Sequence, residues 1–350
     1  MLCFDNIVFS LQRSGGISVV WYELLRYMLA WRSDLRCIEY PDAAGNLFRR
    51  MLPLPEACID RRNPLLRRID RYRPVSVPCR EPFVFHSSYY RTAAGRAART
   101  VTTVHDFTYE YFASGPARTI HCRQKYRAIR RADAVVCISE NTRRDLLKFL
   151  PDVDPDRVRV IHNGVSEDYR PLPDSERDPE LADCVLFVGA RGGYKNFRWL
   201  VEALHPTPYR LAVCGHPLAP EEVRLLEAQL GRGRFRIFAH ADNRLLNRLY
   251  NSVRALVYPS SYEGFGIPVL EAQRAGCPVV ALDASSIPEV IGETPLLLRE
   301  LSARELAGKL QLLERDPLRR EVIRAGLANS RRFSWERMAA GYRRLYEELL

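Results

Sequence analysis

Two carboxylates, Glu263 and Glu271, stand with seven residues between them in the run YPSSYEGFGIPVLEAQRAGCPVV, residues 258–280. Carboxylates accept hydrogen bonds and carry negative charge, so the pair suits sugar hydroxyls and is a poor phosphate ligand. Between them, Gly264 and Gly266 let backbone approach a ligand closely. Pro268 fits the first turn of a helix, where its missing N–H costs nothing. A helix N-terminus offers unpaired N–H groups and a partial positive charge, which suits a diphosphate. The whole run therefore fits a ligand that is anionic in the middle and hydroxyl-rich at both ends, a nucleotide-diphosphate sugar. The plainer alternative is that Glu271 complements the helix dipole and Glu263 stands on a solvated loop.

The elements that must position these groups can be read around them. Residues 253–258 form an apolar, β-branched run expected to be a buried strand, 269–275 are helix formers, Gly276 closes the helix, and 277–282 read as the next strand. The order of strand, glycine loop and helix recurs twice. Residues 2–11 read as a strand interrupted by polar residues, followed by Gly15-Gly16 and a helix over 17–29. Residues 185–188 read as a strand followed by GARGGYKN, which sets Arg191 and Lys195 where they could grip a diphosphate. An ordinary basic loop is the alternative for that stretch.

Two further strands, 83–85 and 99–104, end in polar residues, and ligands of open α/β sheets bind beyond strand carboxyl ends. His105 can hold a hydroxyl or exchange a proton near neutral pH. His86 and Tyr90 are acceptor-side candidates. Residues 109–131 read as mostly helical, 139–150 as a helix capped by Ser139 or Asn141, and 41–82 as loops with short helices. The Asp152-Val153-Asp154 triplet lies between prolines and reads as a surface turn rather than a metal site. Residues 171–179, rich in Pro, Asp and Arg, read as a linker.

A chain of 350 residues is long for a single core, so two domains are expected. No apolar run approaches the ~20 residues of a membrane-spanning helix, and MLCFDNIVF lacks the layout of a secretion signal. Nine scattered cysteines without a C-x-x-C pair read as reduced thiols of a cytoplasmic protein. The net charge of +11 is dense between Arg49 and Arg80. That region reads either as a face for an anionic membrane surface or as a solvated basic face. No interleaved aromatic and basic recognition motif for nucleic acid is present.

The run 258–280 resembles the Glu-x7-Glu signature of the retaining glycosyltransferases of family 4, which have the GT-B fold. GGISVVWYELL, TVHDF, ISENTRRDL and VGARGGYKN are similar to other motifs of that family. The resemblance implies an α/β architecture of two Rossmann-like domains facing each other across a cleft. They would span 1–168, on the acceptor side, and 180–332, on the nucleotide-sugar side, with a helix in 333–350 crossing back to the first. It implies that Glu271 contacts the nucleotide ribose and Glu263 the donor sugar, with Gly264, Phe265, Gly266 and Ile267 supplying backbone contacts. Gly15 and Gly16 would face the donor, Arg191 and Lys195 would bind the leaving diphosphate, and His105 would lie near the reacting sugar. It further implies a metal-independent, retaining transfer without a cofactor, onto a glycan or lipid-linked acceptor in cell-surface polysaccharide synthesis. The enzyme would be cytoplasmic or peripheral on the inner face of the plasma membrane. The IVFSLQRSGGIS and GARGGYKN variants look like those of polysaccharide mannosyltransferase-like members, which makes GDP-mannose the first expectation for the donor. A nucleotide-sugar epimerase of the same fold and a non-catalytic basic protein binding membrane or nucleic acid remain as other classes.

Overall fold

The computed structural model describes residues 1–63, 65 and 67–350, except the side chains of Arg67 and Arg68. The chain divides into two units, one formed by 1–164 and 335–350, the other by 165–334.

The strands of the first unit are β1 (Leu2–Asp5), β2 (Leu35–Glu39), β3 (Ile59–Arg61), β4 (Val75–Ser76), β5 (Phe83–Ser87), β6 (Ala93–Ala94), β7 (Ala98–Val104), β8 (Ala134–Cys137) and β9 (Val158–Val160). Seven of them make one parallel sheet in the order β3-β2-β1-β5-β7-β8-β9, and β4 pairs with β6 apart from it. The second unit holds β10 (Cys184–Val188), β11 (Arg210–Gly215), β12 (Phe235–Ala239), β13 (Ala255–Tyr258), β14 (Val279–Leu282) and β15 (Leu297–Leu298). These form a parallel sheet in the order β12-β11-β10-β13-β14-β15. Parallel strands covered by helices on both faces read as continuous apolar runs, and ALVY of β13 and VVAL of β14 are buried throughout. In each sheet the strand order reverses beside the first strand, at β1/β5 and at β10/β13. Such a switch point opens a crevice at the strand carboxyl ends.

Three sequence expectations are corrected here. The first strand stops at Asp5, and Val8–Leu11 is a helical turn. Asn6 leaves the sheet because its side chain bonds Glu39 and Trp21, each at 2.8 Å, while Ser88 Oγ accepts from the Val8 N–H. Within 41–82, Ile59–Arg61 pairs with β2 and widens the sheet. The 171–179 stretch is no free linker. Asn251 accepts from the Leu172 N–H at 2.8 Å, and Ser252 from the Asp178 N–H at 2.8 Å, so both ends dock on helix Asn243–Ser252. In the basic run, Arg49, Arg61, Arg62 and Arg73 pair with Glu39, Glu56, Asp60 and Asp70. Among the described residues no helix is long and apolar enough to cross a membrane.

The C-terminal helix Trp335–Leu349 belongs to the first unit and buries Met338, Tyr342 and Tyr346. Its tyrosines reach His86, which the sequence suggested for the acceptor. His86 instead lies inside β5, 1% exposed. Its Nδ1 meets Tyr346 Oη at 2.6 Å, and its Nε2 meets Thr103 Oγ1 at 2.9 Å. The Tyr342 ring stacks on it at 5.5 Å. Burial pushes its pKa down to about 3, so the ring stays neutral. With both nitrogens engaged, His86 fastens the helix to the sheet and cannot contact a substrate. A Tyr346→Phe change removes one buried hydrogen bond and should cost about 1 kcal/mol. The transition of the first unit should fall by about 2–4 °C in calorimetry.

Candidate active site

The loops after β10 and β13 meet at the switch point of the second sheet. Lys195, from the first, bonds the Glu263 carboxylate of the second, and its Nζ also lies 3.4 Å from Tyr258 Oη. The two side chains are 15% and 12% exposed, so water screens the pair only partly. Asn196, in a left-handed conformation, stitches the same loops by donating to the Pro259 carbonyl at 2.8 Å and to Ser261 Oγ at 2.7 Å.

Helix Ile267–Arg274 starts at Gly266, whose φ of +102° disfavours any side chain. A Cβ there would also come within 2.9 Å of Ile287 Cδ1. Phe265 is buried and packs edge-on against Phe333. The turn between the carboxylates is held by the loop after β14. Ser285 Oγ accepts from the Glu263 N–H at 2.8 Å, and the buried Ser286 hydroxyl lies 2.9 and 3.0 Å from the Glu263 and Phe265 carbonyls. The loop that carries Glu263 therefore runs directly into the first turn of this helix.

Glu271 accepts a hydrogen bond from Tyr250 Oη at 2.9 Å, and the Tyr169 ring packs edge-on against Tyr250 with its own hydroxyl donating to Asn243 Oδ1 at 3.2 Å. Burial raises its pKa from 4.5 to about 7, against the opposing effect of both tyrosines. Neither tyrosine was found from sequence, because they come from distant segments without a motif.

Arg191 departs from its expected place. Its Nε bonds Glu222 at 2.8 Å, and its two terminal nitrogens donate to the carbonyls of His216 and Pro217 at 2.9 and 2.8 Å. The side chain is 7% exposed and braces the loop after β10 against the loop after β11.

In the first unit, Gly15 (φ +155°) caps helix Gly16–Trp31 just beyond β1 and accepts from the Val19 N–H. His105 follows β7, and burial lowers its imidazole pKa to about 4, so it is a neutral hydrogen-bonding group at neutral pH. Its turn is anchored from below. The fully buried Lys125 bonds Glu110 at 2.7 Å and donates to the Asp106 carbonyl at 3.0 Å, over the Phe107 ring. Tyr90 is buried, with φ +53°, and burial pushes its hydroxyl pKa well up. Lys195, Glu263 and Glu271 thus lie in one unit and Gly15, Gly16 and His105 in the other.

Two family models match the chain. One, described as Glycosyltransferase Family 4, covers residues 14–169. The other, described as Glycosyl transferases group 1, covers residues 171–328. The chain is 30% identical over 261 residues to the O-antigen chain mannosyltransferase B of Escherichia coli, covering 69% of this chain and 68% of that protein. It is 32% identical over 252 residues to the alpha-maltose-1-phosphate synthase of Mycolicibacterium smegmatis, covering 63% and 65%. Among solved structures it superposes on sucrose-phosphate synthase from Thermosynechococcus elongatus with a TM-score of 0.77 over 99% of this chain and 98% of that one, at 18% identity. It superposes on Anabaena HepE in complex with UDP-glucose with a TM-score of 0.73 over 99% of both chains, at 16% identity. At these identities the likeness to both structures is one of fold.

A Gly266→Ala change meets both the left-handed backbone and Ile287. It should destabilise the second unit by roughly 1–3 kcal/mol and lower its transition in calorimetry, leaving that of the first unit in place.

Proposed function

Since the chain belongs to glycosyltransferase family 4 and has the GT-B fold, we propose that it moves a hexose from a nucleotide-diphosphate sugar to a glycan or lipid-linked acceptor. The reaction keeps the anomeric configuration. The observation that carries this reading is the Lys195–Glu263 pair beside a helix N-terminus, with Glu271 one helical turn further on. The donor's diphosphate would draw Lys195 away from Glu263. The released carboxylate then accepts from sugar hydroxyls, and Glu271 accepts from the ribose.

In the chemical step the anomeric C–O bond to the diphosphate breaks and a C–O bond to the acceptor hydroxyl forms on the same face. The acceptor proton passes to the leaving phosphate oxygen, so no side-chain nucleophile is needed. Negative charge grows on that oxygen, and Lys195 with the N-terminal amides of helix Ile267–Arg274 is preorganised to meet it. Those groups carry the charge that a metal would otherwise carry, and the reading requires neither metal nor cofactor. His105, neutral and beyond β7, would hold a hydroxyl of sugar or acceptor. The name of the E. coli relative supports mannose as the sugar and a polysaccharide chain as the product, and we take GDP-mannose as the donor. Leu47, Met51 and Ile69 are exposed apolar side chains in an arginine-rich stretch, which supports peripheral contact with an anionic membrane.

A thermal-shift screen of GDP-, UDP- and dTDP-sugars should single out GDP-mannose, followed by transfer to acceptor in a product assay. Lys195→Ala should lower that turnover roughly 10²–10³-fold. Wild-type turnover in the variant removes the assigned role.

The raised pKa of Glu271 sets a pH dependence. In the free protein the folded state holds this proton more tightly than the unfolded chain does. The resulting stability is complete below pH 4.5 and lost as pH climbs through about 7. Ribose hydroxyls would favour the ionised form, so affinity for an intact nucleotide-sugar should rise with pH and level off above about 7. Calorimetric titration should show this slope in the wild type and a flat profile in Glu271→Gln.

A further inference from the structure

We propose that a cavity in the first unit, walled by Arg73, Arg91, Arg123 and Arg127, binds a phosphate-bearing ligand, either a phosphate ester or a diphosphate. The cavity measures about 230 Å³, and no carboxylate lines it. Two of the four cations are balanced from behind, Arg91 by Asp5 at 3.0 Å and Arg73 by Asp70 at 3.9 Å. Arg123 and Arg127 have no carboxylate partner among the described residues.

The arrangement costs the fold something. Arg123 and Arg127 stand one turn apart on helix Gly115–Arg131, where like charges repel. Arg91 is 5% exposed, and its Nε finds no acceptor. A buried guanidinium N–H without a partner is unfavourable unless a ligand answers it. Phosphate oxygens match guanidinium forks in charge and in geometry, which favours this ligand over a carboxylate-free sugar.

The walls are fixed in place. Gln124 shares a helix face with Ile120, Arg123 and Arg127, and its Nε2 donates to the Arg71 carbonyl at 2.6 Å. That bond ties the helix to the segment carrying Arg73. Tyr90, buried at the end of the segment after β5, lines the cavity too.

A drug-sized ligand site measures about 300–1,000 Å³, so this cavity would take a phosphate group rather than a whole glycan. Ile120, 51% exposed, forms part of the rim and also lines a neighbouring cavity of about 670 Å³ with Ala113 and Pro116. Two sources share the chemistry: a soluble sugar phosphate and the linking phosphate of a lipid-borne glycan. Calling the ligand an acceptor rests on the transfer reading; the anion site does not.

The test uses the full chain and inorganic pyrophosphate in calorimetric titration, in a Lys195→Ala background that removes binding beside Glu263. Adding Arg123→Ala with Arg127→Ala should weaken pyrophosphate about tenfold or more at an unchanged melting temperature. Replacing both by lysine keeps the charge without the fork and should give an intermediate loss. Flotation with phosphatidylcholine vesicles containing phosphatidic acid, against vesicles containing phosphatidylserine, separates the sources. Weaker pyrophosphate binding alone assigns a soluble ligand, and an added loss specific to phosphatidic acid assigns a lipid-borne one. Equal pyrophosphate affinity in the double alanine variant overturns the proposal, whatever the vesicles do. Because the readout is binding, failure of sugar transfer would leave this site standing, and its failure would leave the transfer reading untouched.

Discussion

The contact between Lys195 and Glu263 is the constraint around which the second unit is arranged. Two opposite charges, mostly out of water, must be held by loops that arise from different strands. Neighbouring places for β10 and β13 in one parallel sheet bring those loops together at the switch point. Asn196, Ser285 and Ser286 then fix the loop backbones with hydrogen bonds. The pair neutralises itself, which lowers the cost of keeping a cation at this place. On the proposed reading, a donor diphosphate would exchange one partner of Lys195 for another rather than meet a bare charge.

The first unit solves a different problem. It must hold polar groups at strand ends without exposing the sheet. The Lys125–Glu110 pair under the His105 turn and the His86–Tyr346–Thr103 cluster both do this by pairing buried polar atoms with one another. Neutral histidines follow, because desolvation penalises the charged imidazole at both positions. His105 therefore serves as a hydrogen-bonding group rather than as a source of charge. Arginines behave in the opposite way: they stay charged, and the fold either pairs them, as with Arg191 and Glu222, or leaves them around a cavity, as with Arg123 and Arg127.

Much of this was legible in the sequence. Glycines, Pro268 and the two carboxylates dictate a strand, a tight turn and a helix N-terminus through local sterics alone, and continuous apolar runs mark strands covered on both faces. Spacing therefore determined the family resemblance and the loop that carries Glu263, and the resemblance in turn implied the two Rossmann-like domains. What spacing cannot encode is which distant side chain answers a given polar atom. His86 and Arg191 both stood in loop-like positions along the chain. Only the packed structure put Tyr346 and Thr103 on one, and Glu222 with two carbonyls on the other. Tyr169 and Tyr250 around Glu271 were likewise assembled by tertiary contacts, as was the approach of Arg73 and Arg91 to the helix that carries Arg123 and Arg127. Desolvation depends on every neighbour at once, so the neutral state of His105 and the raised pKa of Glu271 were decided by the fold, not by the residues that carry them.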